Sequence, residues 1–448
     1  MELSILSQKN PWWKGKEHFE EDEDYRKWKE KQIKWVPKIL EDIELKPFSL
    51  NFIFGPRQAG KTTLIKLLIK KLLDEGKKPE SIFFFRCDEI KDYKELRELL
   101  ETYLDFRKNL GIKCSYIFLD EITFPREWFR TIKSFIDDGI FREDVLFLSG
   151  STTLEIRKEA EYFPGRRGFG KDYLLLPLSF REFVEVVNPK IKEKLPEKLK
   201  SIEKREIEEK ILKLIPFSEE LNSILETYFI TGGFPEAIND YFKYKKVREE
   251  TIRTIISWII TDLTKIDKSW ENAREVLKSV LIKIPSAISW ENIAKETTFK
   301  SPKTVSSYLR VLNSMFILKI TYHIDPNNTI VEFAKNKKIN FLDPLFFKVF
   351  EEWCLIEVER KTEKMIEAIV ASHLFRRFKD VFFWKDGSEV DCIINLKNKL
   401  VGFEVKWSEK PEAKKVFVGK LKEIYTLSKN KLDLENNIIP TALMLALL

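Results

Sequence analysis

Residues 50–62 read Leu50-Asn51-Phe52-Ile53-Phe54-Gly55-Pro56-Arg57-Gln58-Ala59-Gly60-Lys61-Thr62. The first five are an apolar run that fits a buried strand. The remainder spells G-x-x-x-x-G-K-T, the phosphate-binding P-loop, and Thr63-Leu64-Ile65-Lys66-Leu67-Leu68-Ile69 continues with helical spacing. Glycines let successive backbone N–H groups turn inward around phosphate oxygens, and the helix N-terminus adds a favourable partial charge. Gly55, Pro56, Arg57, Gln58, Ala59, Gly60, Lys61, Thr62 and Thr63 are therefore the expected nucleotide cradle. Lys61 is placed to reach the β- and γ-phosphates and Thr62 to ligate Mg²⁺. A strand–helix turn that binds nothing is the plain alternative.

Working outward, residues 49–187 alternate strand and helix. Ser81-Ile82-Phe83-Phe84-Phe85 and Tyr116-Ile117-Phe118-Leu119 read as strands, as does Val145-Leu146-Phe147-Leu148. Tyr93 to Leu110 reads as a helix with Leu96, Leu99, Leu100, Tyr103 and Leu104 on one face. Continuous apolar strands between helices predict a parallel sheet covered on both faces, with ligands at the strand C-termini. There lie the P-loop, Asp120-Glu121 and Ser149-Gly150-Ser151. Asp120 is the candidate Walker B carboxylate for Mg²⁺, and Glu121 the group that would polarise an attacking water. An acidic pair after a strand can also be a helix start. Ser149 or Ser151 could sense the γ-phosphate, or either could be a turn residue. In Gly165-Arg166-Arg167-Gly168, Arg166 is a candidate γ-phosphate contact, in its own or a neighbouring subunit, against the alternative of a solvated arginine.

The segments GPRQAGKTTL, YIFLDEI, FLSGST and GRRGFGKDYLLLPLSFREF occur in that order. Together they resemble an AAA-type ATPase family of archaea and bacteria, whose hallmark Pro-Leu-Ser-Phe-x-Glu-Phe is here Pro177 to Phe183. The family is related to AAA+ replication initiators and to STAND-type regulators. The resemblance extends over about residues 10–448. It implies an α/β architecture: a P-loop NTPase parallel sheet with helical lid, a winged-helix domain and a C-terminal restriction-endonuclease-like α/β domain. The boundaries are 1–48 for a lead-in, 49–187 for the ATPase core, 188–268 for the lid with a charged insertion, 269–338 for the winged helix and 339–448 for the last domain. It also implies ATP and Mg²⁺ as cofactors and a homo-oligomer that lends an arginine between subunits.

In the lead-in, Trp12, Trp13 and Trp35 are expected to pack on the next domain. Residues 188–213 alternate Lys and Glu and read as a solvated insertion. Thr231-Gly232-Gly233-Phe234-Pro235-Glu236 marks a sharp interhelical turn. Residues 270–335 read as three helices and a hairpin, with Ser301-Pro302 starting a recognition-type helix. Lys300, Lys303, Ser306, Ser307 and Arg310 could then face DNA, although winged helices also make protein contacts. Lys335 to Lys338 reads as a basic loop.

Near the C-terminus, strand alternation puts Glu389 and Asp391 on one face of a strand, and Glu404 and Lys406 on one face of its neighbour. Asp391…Glu404-x-Lys406 resembles the PD-(D/E)XK nuclease core, with Glu367 as the helix carboxylate. On that resemblance Glu367, Asp391 and Glu404 are metal ligands, and Asp391, Glu404 and Lys406 are catalytic. A salt-bridged pair of strands is the alternative.

The whole composition sets limits. The chain of 448 residues is 34% charged and 43% hydrophobic, with four Cys and four Met, as in proteins of hyperthermophiles. Its 79 Lys and Arg against 72 Asp and Glu give a net charge of +7, which permits DNA binding without arguing for it. The cysteines are far apart and histidines number three, against zinc or a disulfide framework. No apolar run is long enough to span a bilayer and no signal peptide is evident, so a cytoplasmic location away from membranes is expected. Three functions follow: an ATP-hydrolysing, DNA-associated machine that presents DNA to a nuclease-like domain, a STAND-like switch acting on a protein partner through a non-cutting C-terminal domain, or a metal-dependent nuclease in defence with the ATPase as its gate.

Overall fold

The computed structural model describes residues 2–150, 163–397 and 399–448. The chain forms two compact units, residues 1–176 and 177–448.

The first unit is built on a five-stranded sheet of order β2-β3-β4-β1-β5. The strands are β1 (Ser49–Phe54), β2 (Ile82–Arg86), β3 (Tyr116–Asp120), β4 (Val145–Ser149) and β5 (Asp172–Leu174). Every pairing is parallel. β1, β3 and β4 are buried along their whole length, as their unbroken apolar runs require. Helix α1 (Lys61–Asp74) follows the P-loop, and α2 (Tyr93–Asn109) and α3 (Phe129–Asp137) complete the layers.

The lead-in packs on this sheet as expected. β2 is an edge strand, and unpaired edge groups invite association. Asn10 covers them by accepting from Phe84 N–H at 2.7 Å and donating to Phe84 O at 3.1 Å. The Trp12 and Trp13 indoles both donate to Ile82 O at 2.9 Å. Asp22 pairs with Lys66 of α1 at 2.7 Å, both side chains buried. The Lys66 ammonium also lies 3.3 Å from the Phe84 ring centroid.

The second unit interleaves segments that the sequence reading separated. It contains α4 (Phe180–Val187), α5 (Ser218–Thr231), α6 (Pro235–Tyr244) and α7 (Glu249–Lys265). Then come α8 (Trp270–Lys283), α9 (Trp290–Ala294), α10 (Pro302–Ser314), β6 (Leu318–Ile324), β7 (Val331–Glu332) and β8 (Lys338–Phe341). The chain continues through α11 (Leu345–Cys354), α12 (Lys361–Phe378), β9 (Phe382–Asp386), β10 (Ser388–Leu396) and β11 (Lys399–Lys406). It ends with β12 (Leu421–Ser428), β13 (Ile438–Pro440) and α13 (Thr441–Leu447).

α8, α9, α10 and the β6–β7 hairpin have the expected helix, helix, helix, wing order. The sheet, however, runs across the expected boundary at residues 338/339. β6 pairs antiparallel with β7 and β8 and parallel with β9, so wing and C-terminal strands form one eight-stranded sheet. α13 is wholly buried and packs against α4 and α5, returning the C-terminus to the lid. The expected solvated insertion also buries apolar surface, through Ile191, Leu199, Ile202, Ile207 and Ile211.

The Pro177–Phe183 hallmark is a strip of backbone docking. Ser179 and Glu182 form a reciprocal capping box at the start of α4. Leu178 N–H donates to Gly233 O at 2.8 Å, and Leu178 O accepts from the Tyr228 hydroxyl at 2.8 Å. Phe180 N–H donates to His373 Nε2 at 2.7 Å, and Arg376 donates to Pro177 O at 2.6 Å. At the Gly232-Gly233 turn Gly232 has φ +58°, and a Cβ there would lie 1.8 Å from Asp343 Oδ1. Asp343 in turn accepts from Gly233 N–H and Leu345 N–H.

Two predictions follow from these buried groups. Asp22→Ala leaves the Lys66 charge buried and unpaired, and costs about 3–5 kcal/mol in denaturant unfolding; adding Lys66→Met recovers most of it. Burial, then the Arg376 charge, lowers the His373 pKa from its ordinary 6.5 to about 3. Unfolded chains therefore take up a proton that the folded chain refuses, and the His373 contribution, complete above pH 6.5, is lost as pH falls towards 3. The stability gap between wild type and His373→Gln narrows over that range by up to about 1.4 kcal/mol per pH unit.

Candidate functional site

The P-loop takes the shape its glycines permit. Gly55 has φ +152°, and a Cβ there would stand 1.9 Å from Leu175 O. Gly60, at φ +97°, caps the N-terminus of α1. Gln58 at the tip is exposed with φ 61°. Trp35 from the lead-in lies against Gly60, 3.7 Å from where a Cβ would stand. Lys61 is buried and folds over its own loop, donating to Gly55 O and Pro56 O at 2.9 Å each. Carbonyls are weaker partners for an ammonium than phosphate oxygens, so this arrangement suits a lysine that changes partner when an anion enters the loop.

Three strand ends converge beside the loop. Thr62 Oγ1 donates to Asp120 Oδ2 at 2.6 Å. β4 lies between the P-loop strand and the Asp120 strand, which brings Ser149 between them. Ser149 is buried, donates its hydroxyl to Asp120 Oδ1, and accepts from Glu121 N–H at 3.4 Å. Its place is that of a group that orients Asp120. Glu121 stands next to it with φ 54°, a left-handed backbone that costs a non-glycine residue about 1–3 kcal/mol. A hydroxyl, a buried carboxylate and a second carboxylate are the donor set that a nucleotide-bound Mg²⁺ takes, so Thr62 and Asp120 fit that ion and Gly55–Thr63 fit the phosphates. Ser151 lies outside the described residues.

Arg86 was missed in the sequence. It ends β2 level with Asp120, with Nε 3.8 Å from Asp120 Oδ2 and a terminal nitrogen 3.0 Å from Asp24 of the lead-in. The signal was a cation at the C-terminal end of the strand next to the acidic one. Arg166 requires a correction. The Arg167 carbonyl accepts from Leu50 N–H, which puts this loop at the N-terminal end of β1, away from the P-loop. Arg166 is held there by both carboxylate oxygens of Asp137. It does not reach the cradle of its own chain, because β1 runs between them.

In the second unit the predicted carboxylates do converge. The β10–β11 pairing stops at Cys392↔Phe403, and the β9–β10 register shifts between Val390 and Ile393. The irregularity frees Asp391 to accept from Val405 N–H at 2.9 Å. Glu404 Oε1 lies 2.9 Å from Lys406 and 3.4 Å from Lys414, while its Oε2 is buried without a hydrogen bond. Burial, then the Asp391 charge, raises the Glu404 pKa, and the same two causes raise that of Glu367 to about 8.

The basic-loop reading of Lys338 is wrong. Lys338 opens β8 at 1% exposure, and its ammonium lies 2.8 Å from Glu367, 2.8 Å from Glu389 and 2.9 Å from Asp391. The ammonium stands between Glu367 and Asp391, two of the expected metal ligands, while Glu404 pairs instead with Lys406 and Lys414. Among the described residues no group of three or more His, Cys, Asp or Glu side chains is arranged to hold a metal ion. An ammonium group already stands among these carboxylates.

With this geometry in place, comparison with known proteins is informative for parts of the chain. Residues 48–184 match the family described as AAA domain. The chain carries an AAA domain. Residues 222–347 match a domain of unknown function (DUF8612), and residues 362–439 another (DUF4143). No curated protein sequence matches the chain. Among solved structures, the Aeropyrum pernix ORC2 protein in ADPNP and ADP complexes is 11% identical, over 72% of this chain and 98% of that one, with TM-score 0.37. The Aeropyrum pernix ORC1 protein in complex with DNA is 14% identical, over 77% and 96%, with TM-score 0.33. The replication initiator DnaA bound to AMPPCP and single-stranded DNA is 16% identical, over 62% and 85%, with TM-score 0.25. Scores this low carry nothing about ligand or partner. Among the described residues no helix is long and apolar enough to cross a membrane.

The two placements separate in a titration with a fluorescent ATP analogue. Lys61→Ala weakens binding at least about tenfold, as expected for a lost charge-assisted contact. Arg166→Ala leaves the affinity of the isolated chain within about twofold.

Proposed function

We propose that the chain binds ATP with Mg²⁺ at the P-loop, hydrolyses it, and couples the nucleotide state to DNA held by the winged helix. One observation carries the reading: Thr62, Asp120 and Ser149, from three separate elements, are linked by hydrogen bonds beside the loop that Lys61 covers. Backbone N–H groups of Gly55–Thr63 and the Lys61 ammonium hold the phosphates. Thr62 and Asp120 hold the ion, which supplies charge stabilisation to the transferring phosphoryl group when bound. Glu121 orients and polarises the attacking water, and Ser149 keeps Asp120 in register. The exposed Lys300, Lys303 and Arg310 on and before α10 supply the cationic face for DNA phosphates. The second reading, a nucleotide-dependent switch for a protein partner, is favoured by Lys338 among the C-terminal carboxylates, because a neutralised cluster gives the last part no cutting role.

ATP turnover by the full chain, with and without duplex and single-stranded DNA, tests the proposal. Ser149→Ala lowers kcat by about tenfold to a hundredfold with little change in KM, as expected for a positioning residue. DNA stimulates turnover, and Lys303→Ala and Arg310→Ala each reduce the log–log salt slope of DNA binding by about one. Turnover indifferent to DNA, without measurable DNA binding, rejects the DNA reading and favours the switch.

A further inference from the structure

We propose that Lys338 is the permanent, built-in cation of the C-terminal carboxylate cluster, so that the cluster is a metal-free clamp joining the wing strands to the last part of the sheet.

Lys338 is the first residue of β8 and pairs with Thr321 of β6, within the winged-helix hairpin system. Strand geometry points its side chain inward, where it is 1% exposed. Its three carboxylate partners come from other elements: Glu367 from α12, Glu389 and Asp391 from β10. One ammonium group thus ties three elements at distances of 2.8–2.9 Å. An ammonium has three donors, and here each meets a carboxylate oxygen.

The charge balance agrees. Glu367, Glu389, Asp391 and Glu404 face Lys338, Lys385, Lys406 and Lys414, so four carboxyl groups meet four ammonium groups and no excess of negative charge remains. A divalent ion needs several oxygens at about 2.0–2.6 Å and uncompensated negative charge. Lys338 takes the oxygens from which such a shell would be built, and the surrounding lysines cancel the charge that would attract it. A metal and the Lys338 ammonium cannot occupy the same space between Glu367 and Asp391. The inference concerns the second unit alone and does not depend on ATP hydrolysis or DNA binding.

The test uses the full chain, Mn²⁺ alone and no nucleotide, so the P-loop reading can fail without touching it. Mn²⁺ binding is followed by electron paramagnetic resonance. Wild type and Asp391→Asn bind Mn²⁺ indistinguishably. Lys338→Met, which empties the centre of the cluster, gains an Mn²⁺ site that adding Asp391→Asn removes. An Asp391-dependent Mn²⁺ site in wild type overturns the proposal, and so does Mg²⁺-dependent DNA cleavage that Asp391→Asn abolishes. If Lys338→Met does not fold, the clamp predicts that adding Glu367→Gln and Asp391→Asn restores folding, because the unpaired buried charges are gone. Failure of that rescue overturns the clamp.

Discussion

A charge taken out of water has to meet an opposite charge or several hydrogen-bond donors within about 3 Å, or the fold around it fails. This chain, a third of it charged, uses that requirement repeatedly to fix how its elements meet. Lys66 and Asp22 hold the lead-in to the helix of the P-loop. Arg107 and Asp144 pair at 2.6 Å beneath the sheet and settle where β3 and β4 begin. Asp343, buried with a pKa raised to about 6 by that burial, holds the double-glycine turn through Gly233 N–H and also accepts from Leu345 N–H. Lys338 does the same for the last sheet. Each group is costly alone and satisfied only by one arrangement of its neighbours, which makes it a source of specificity more than of net stability.

Most of the first unit could be read directly from residue order. Unbroken apolar runs such as Tyr116–Leu119 have one solution, a doubly covered parallel sheet, and a G-x-x-x-x-G-K-T turn has few alternatives. Arg86 escaped because strand order is not written in the chain: only β2 beside β3 brings it level with Asp120. Arg166 was misplaced for the same reason. A loop flanked by glycines could close either end of β1, and only the pairing of Leu50 with Arg167 decides which.

The second unit was less legible. Helix and strand positions were evident from periodicity, down to the hairpin at Gly387, which takes φ 65°. Their partners were not. Nothing local to Leu318–Ile324 says that this strand pairs with residues from both sides of a presumed boundary. Lys338 looked like surface because it follows Lys335 and Lys337. The clue lay elsewhere, in Glu367, Glu389 and Asp391, which needed a buried cation and had none nearby in sequence. The Pro177–Phe183 hallmark is an anchorage whose backbone groups meet Gly233 O and the side chains of Tyr228, His373 and Arg376.

The strand β6 gives the second unit a mechanical character. Hydrogen-bonded sheets resist shear along every rung, whereas a peptide tether resists almost nothing. Because β6 pairs with β7 and β8 on one hand and with β9 on the other, the segment that carries α8, α9 and α10 is joined to the last strands by sheet pairing as well as by the chain. It is the end of a continuous beam. To part the wing from the last strands, the pairing of Tyr322 with Phe382 and of His323 with Phe383 would have to break.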